Sequence, residues 1–187
     1  MYLVVTKGDT MKKLIIAMFV LMFAGICYSE ITNDIDVHVR VNSKFELTVD
    51  RTFIDFETME PGEIKQGVPD SGIRISAKSN SGSPWFLTIN NVRELSNGAD
   101  FIPNENFFWY GWKGKGSTGT FYGEKSQVFT VTPTLMYSPS SQEFNNLRLV
   151  GDNKIEGTDV FVKFGLKVPF KQNSGEYHTL VRFTMTE

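Results

Sequence analysis

The chain has 187 residues, 41% of them hydrophobic, with 16 Phe, 6 Tyr, 3 Trp and a formal net charge of −2. That length supports one well-packed domain, and the slightly acidic balance excludes a protein built around a basic nucleic-acid surface. The single cysteine, Cys27, excludes an internal disulfide framework and Cys-based metal sites.

Residues 1 to 10 fit no export pattern, and Met11 reads as the better start. Lys12 and Lys13 then precede an apolar run, Leu14 to Cys27, without charge or proline, and Tyr28-Ser29-Glu30 returns to polar sequence. A basic start, a short apolar centre and small residues at its end are the parts of a secretory signal peptide. The 16 uncharged residues from Leu14 to Ser29 fall short of the about 20 that a membrane span needs. The expected cleavage follows Ser29, with an uncleaved anchor as the alternative. A lipoprotein signal needs a small residue before its cysteine, and Ile26 stands there. The reading is residues 1–29 as signal and 30–187 as one domain, in a secreted, cell-surface or periplasmic location. Without residues 1–29 the charges are 16 basic against 20 acidic, a net of −4.

Strict alternation of apolar and polar residues marks strands with one buried face. Val37, Val39 and Val41 alternate with His38 and Arg40 over 36–41. Ile73 and Ile75 alternate over 73–77, and Trp85, Leu87 and Ile89 share a face over 85–90. Val160, Val162, Phe164, Leu166 and Val168 do so over 160–168, with Lys163 and Lys167 opposite. The final run, 177–186, groups Tyr177, Thr179, Val181, Phe183 and Met185. Turn clusters separate these runs, among them Pro69-Asp70-Ser71-Gly72, Ser79 to Pro84, Ser96-Asn97-Gly98 and Asn173-Ser174-Gly175. The pattern predicts roughly ten short strands in a single antiparallel, Ig-like β-sandwich. A short helical turn is expected near 91–95, and no repeat or linker divides the domain.

Chemistry-bearing groups are sparse. His38 and His178 fall on polar strand faces with no nucleophile or metal motif beside them, so no catalytic residue, metal or cofactor is expected. Scattered carboxylates, Asp34 to Glu63, lack calcium-loop spacing. The densest aromatic segment is Phe107-Phe108-Trp109-Tyr110-Gly111-Trp112. In a strand, Phe107 and Trp109 point one way and Phe108, Tyr110 and Trp112 the other. One set fills the core. The other is either a platform for sugars or a protein partner, or is covered by the loop 113–123. The last strand ends near the C-terminus. A free edge there would suit strand addition between subunits, although pairing inside a sheet is the expectation.

Trp85-Phe86-Leu87 is a Trp-x-Leu motif after a Gly-Ser-Pro turn, and Val168-Pro169 leads to Gly175-Glu176-Tyr177 and on to Thr186. Together with Leu47 to Asp50, Asp55-Phe56 and Pro61-Gly62, these resemble WxL domains, and also pilin-like and spore-coat-U-like sandwiches. The WxL resemblance implies a surface β-sandwich attached non-covalently to the cell wall through peptidoglycan. Phe183-Thr184-Met185 stands where that family carries its second Trp-x-Leu. The function expected is therefore adhesion without catalysis: binding of cell-wall polymer or other surface proteins. A pilin-like self-assembling subunit joined through strand edges, and a carbohydrate-binding module, are the alternatives. The residues that would serve are Trp85, Leu87, Trp109, Tyr110 and Trp112, with Tyr177, Phe183 and Met185 in the C-terminal motif. No membrane span is expected after cleavage.

Overall fold

The alternating runs become strands because each buries one side chain in two against an opposing sheet while its backbone pairs with a neighbour. The computed structural model describes residues 35–150 and 154–187; the expected signal, residues 1–29 with its first ten, lies outside the described residues. Val41–Glu187 forms one compact unit. Its strands are β1 (Phe45–Val49), β2 (Ile64–Ser79), β3 (Phe86–Asn91), β4 (Leu95–Ser96), β5 (Phe101–Ile102), β6 (Phe107–Lys113), β7 (Thr120–Phe121), β8 (Gln127–Val128), β9 (Thr134–Ser138), β10 (Arg148–Val150), β11 (Lys154–Glu156), β12 (Thr158–Lys167) and β13 (Val181–Thr186).

Two antiparallel sheets make an all-β sandwich. The first runs in the order β1-β2-β12-β6-β8 and the second β13-β3-β9-β7. Small pairs, β4 with β5 and β10 with β11, decorate them. Ile73, Ile75, Val160, Val162, Phe107 and Trp109 from the first sheet meet Leu87, Ile89 and Met136 from the second, and Trp85 just before β3, in one buried cluster. Aromatic rings interlock inside it. Phe107 stacks on Phe129 with centroids 4.3 Å apart, and Trp85 stacks on Tyr137 at 5.8 Å. Such pairs add to the burial that stabilises the core.

Four expectations need correction. Residues 36–41 are not a strand: they carry no regular structure, and Ile35, Val37, Val39 and Val41 are 86, 82, 85 and 75% exposed. Side-chain alternation supplies a face but not the partner whose backbone a strand requires. Pro69 to Gly72 is not a turn between strands but a bulge within β2. Val162 opposes Ile73 and Phe164 opposes Val68, so four residues of β2 stand against Lys163 alone. Gly72 takes φ +73° there, and a Cβ on it would stand 2.9 Å from the tip of the Trp112 ring. The last strand begins at Val181, because 173–180 is a loop tied to Ser96 through His178. No helical turn forms at 91–95. Short 3-10 turns occur instead at Asn104–Asn106 and Ser141–Glu143.

Candidate functional site

Among the described residues the two histidines lie near the surface. His38 lies 3.0 Å from Asp36, with both side chains in solvent, and His178 lies 3.5 Å from an exposed Glu176. Among the described residues no three His, Cys, Asp or Glu side chains gather as a metal site. Two hollows on the surface of the described residues, of about 240 and 630 Å³, flank one another, and neither is lined by a histidine. They flank the Arg74–Asp159 ion pair, whose Nη2 and Oδ2 are 2.6 Å apart.

One buried carboxylate escaped the sequence reading. Glu143 accepts hydrogen bonds from the Tyr137 hydroxyl at 2.7 and 2.8 Å, the Thr158 hydroxyl at 2.9 Å, and the amides of Thr118 and Ser140 at 3.1 Å each. Its own carbonyl accepts the Trp85 indole N–H at 2.9 Å. Burial by itself would raise the Glu143 pKa, but these donors outweigh it and hold the group below the ordinary carboxylate value. Burial, reinforced by the neighbouring charge, pushes the Tyr137 hydroxyl upward. Asn146 extends the network to the backbone of Ser79 and Ala77. Buried and held by four donor groups, Glu143 pins the 140–146 loop into the sandwich. The Ser140-x-x-Glu143 spacing, a capping box, was its legible signal.

The aromatic segment splits by parity as the alternation requires. Phe107 and Trp109 are buried, while Phe108, Tyr110 and Trp112 point outward from β6. The three outward rings do not form a bare platform. Phe108 lies across Gly165, where a Cβ would collide with its ring. The Tyr110 hydroxyl abuts Gly67. Trp112 stacks on its cross-strand neighbour Phe161, with centroids 5.4 Å apart and planes at 7°, and Lys163 Nζ lies 5.8 Å from its ring centre. Trp112 remains 41% exposed, so contact on this face centres on one indole beside a cation. The cover comes from the neighbouring strands β2 and β12. Of the 113–123 loop, Gly123 packs instead against the inward ring of Trp109.

Trp85 and Leu87 are fully buried. They build the core and present no surface to a ligand. Tyr177 sits in the 173–180 loop, its hydroxyl donating to Asn173 O at 2.8 Å. Phe183 and Met185 face the core from β13, but only partly buried.

That partial burial marks an open seam. β13 is the edge of its sheet, paired among the described residues with β3 alone, which corrects the expectation of internal pairing. β1 is the edge of the other sheet and comes close to β13. Val181, Phe183 and Met185 of β13 and Leu47 and Val49 of β1 pack against the core yet stay half-buried. The ladder fixes where the backbone points. The Val92 amide donates to Leu180 O at 2.8 Å, whereas the Asn91 amide turns the other way, to Thr130 O at 2.9 Å. Hydrogen-bonded pairs alternate along an antiparallel ladder, so Arg182, Thr184 and Thr186 bond to β3. The N–H and C=O groups of Val181, Phe183 and Met185 therefore face the open side. The same three residues offer both apolar side chains and main-chain groups to an incoming strand.

No helix among the described residues is long and apolar enough to cross a membrane. Against known proteins, no family model matches the chain, and no curated protein matches it.

Proposed function

We propose that this chain is a non-catalytic, exported cell-envelope protein whose β-sandwich binds other surface proteins by accepting an extended segment along β13. The observation that carries this reading is the seam itself, where half-buried apolar side chains and outward backbone groups coincide at Val181, Phe183 and Met185. Exposed edges of this kind are usually blocked by charge, proline or a covering element, and β13 carries a single charged residue, Arg182. Main-chain pairing supplies affinity in such complexes, and alternate side chains supply specificity. Export by the N-terminal signal, read from Lys12 to Ser29 of the sequence, would carry the sandwich outside the cytoplasm. The test is a photo-crosslinking amino acid at position 184 in cells producing the full chain. Adducts with envelope proteins are expected, and their absence in envelope and secreted fractions overturns the reading.

A second reading, binding of wall polymer such as peptidoglycan in the manner the WxL resemblance implies, draws on the exposed Trp112 beside Lys163. Stacking of a flat ring on a sugar face would be its contact. Co-sedimentation with purified peptidoglycan should fall at least about tenfold in Trp112→Ala, which corresponds to about 1.4 kcal/mol. Equal sedimentation of the two proteins removes this reading.

A further inference from the structure

We infer that Trp112 and the larger surface hollow beside Arg74 form one binding site for a glycan that carries carboxylate groups. A sugar ring would stack on the indole, and a carboxylate would be held by Lys115 and Arg148. The site shares Trp112 with the wall-polymer reading, adds the charge of the ligand, and uses no part of β13.

Three observations converge on it. First, the ladders put its two halves side by side. Trp112 of β6 opposes Phe161 of β12, and Phe161 opposes Arg74 of β2. Three adjacent strands span about 10 Å, enough for two sugar rings in line. Phe161 belongs to both halves, because it stacks on Trp112 and also lines the hollow. Trp112 is 41% exposed, so its ring remains open to a sugar face. The hollow, at about 630 Å³, has the size of a small-molecule site.

Second, the hollow holds an excess of positive charge in fixed positions. Arg74, Lys115 and Arg148 line it against Glu156 and Asp159, and Asp159 is engaged by Arg74. Among the described residues no carboxylate pairs with Lys115 or Arg148. Arg148 is nonetheless held in place. Its Nη2 donates to Gly157 O at 2.9 Å, and its Nη1 lies over Gly116, where a Cβ would collide with it. The loop carrying Lys115 and Gly116 is tied to β12: the Gly114 amide and the Ser117 hydroxyl both donate to Asp159 O at 2.8 Å. A guanidinium fixed in this way loses little freedom when it meets a planar carboxylate. Residues 30–187 carry a net charge of −4, but screening over about 8 Å at physiological salt leaves the local cations to decide. Third, Arg74 Nε and Asp159 Oδ1 are buried without a hydrogen-bond partner. Desolvated charge of this kind costs stability and is rare in folded proteins, which stands against a purely structural role for the pair. Glu156, half-buried in the same hollow, would accept the sugar's hydroxyl groups.

The experiment uses the full chain produced with its own leader. Calorimetry reads its binding to oligosaccharides of galacturonic, glucuronic, mannuronic and sialic acid, each beside its methyl ester, and to a sulfated galactan oligosaccharide. Wild type should bind at least one of the acids about tenfold or more tightly than its ester, a comparison that needs no variant. Trp112→Ala, and Lys115→Gln combined with Arg148→Gln, should each weaken that binding by at least about tenfold, with the fold retained by circular dichroism. Equal affinity for acid and ester overturns the inference and leaves the wall-polymer reading in place. Full affinity for the acid in Trp112→Ala, or equal affinity for the sulfated oligosaccharide, marks attraction of any anion and also overturns it. Binding to none of the acids overturns it without touching the strand-accepting reading, which cross-linking at position 184 tests separately.

Discussion

At the scale of single residues, the strongest determinants are polar groups inside the core. Glu143 ties the 140–146 loop, Trp85, Tyr137 and Thr158 together. Replacing it by Gln removes the charge and leaves several donors with a poorer acceptor, so Glu143→Gln should destabilise the sandwich by about 2–3 kcal/mol at pH 7 in urea denaturation. The sign of the pH effect follows from the lowered pKa. The contribution is fully present above the unfolded-state value near 4.3 and fades as pH falls toward the folded value. Wild type should therefore lose stability on acidification below about pH 4.5, and the variant's profile should be flatter there. The two tryptophans of β6, Trp109 inward and Trp112 outward, test the reading of its faces. Trp109→Ala should cost about 3–5 kcal/mol through the cavity it leaves, and Trp112→Ala less than about 1 kcal/mol, as expected for surface positions. These faces were legible because strand parity is a two-residue rule that needs no knowledge of neighbours. Of the Glu143 network only the capping box with Ser140 was legible, because Thr118 and Thr158 reach it from distant parts of the chain.

At the scale of elements, β13 separates two kinds of backbone position. Proline removes an amide donor and is tolerated on a strand only where that donor faces outward. Arg182→Pro should break the ladder to Asn90 and cost about 3 kcal/mol or more. Val181→Pro should leave thermal stability nearly unchanged and yet lower partner cross-linking at position 184. The opposite ranking would mean that the edge has been assigned to the wrong residues. The same element shows where sequence reading ends. Alternation identified Val181, Phe183 and Met185 as one face, but strand order is decided by which distant segment pairs with which. Residues 36–41 show the converse: the same alternation with no partner strand yields exposed chain. Pro69 to Gly72 has the residues of a turn, and whether they reverse the chain or bulge depends on β12 running past them.

At the scale of the whole molecule, the described sandwich leaves the edge along β13 unpaired. Ligands that bind only the folded state raise its melting temperature by mass action. The partner segment identified by cross-linking at position 184, added at about 100 times its dissociation constant, should contribute about 2.7 kcal/mol, read as an upward shift in thermal unfolding. The all-β class and the two main burial faces were open to sequence reading because every strand repeats the same local rule. Closure of the sandwich is a property of the whole chain, and it has no local mark.

The geometry of that open side also has a mechanical meaning. Hydrogen bonds in an antiparallel ladder run across the strands. A segment seated along Val181 to Thr186 and pulled along its own axis would load all of its bonds together, in shear, whereas peeling from one end would break them one by one. An assembly held by such seams would carry tension along its length without a covalent link between its members. It would come apart most readily under a sideways force.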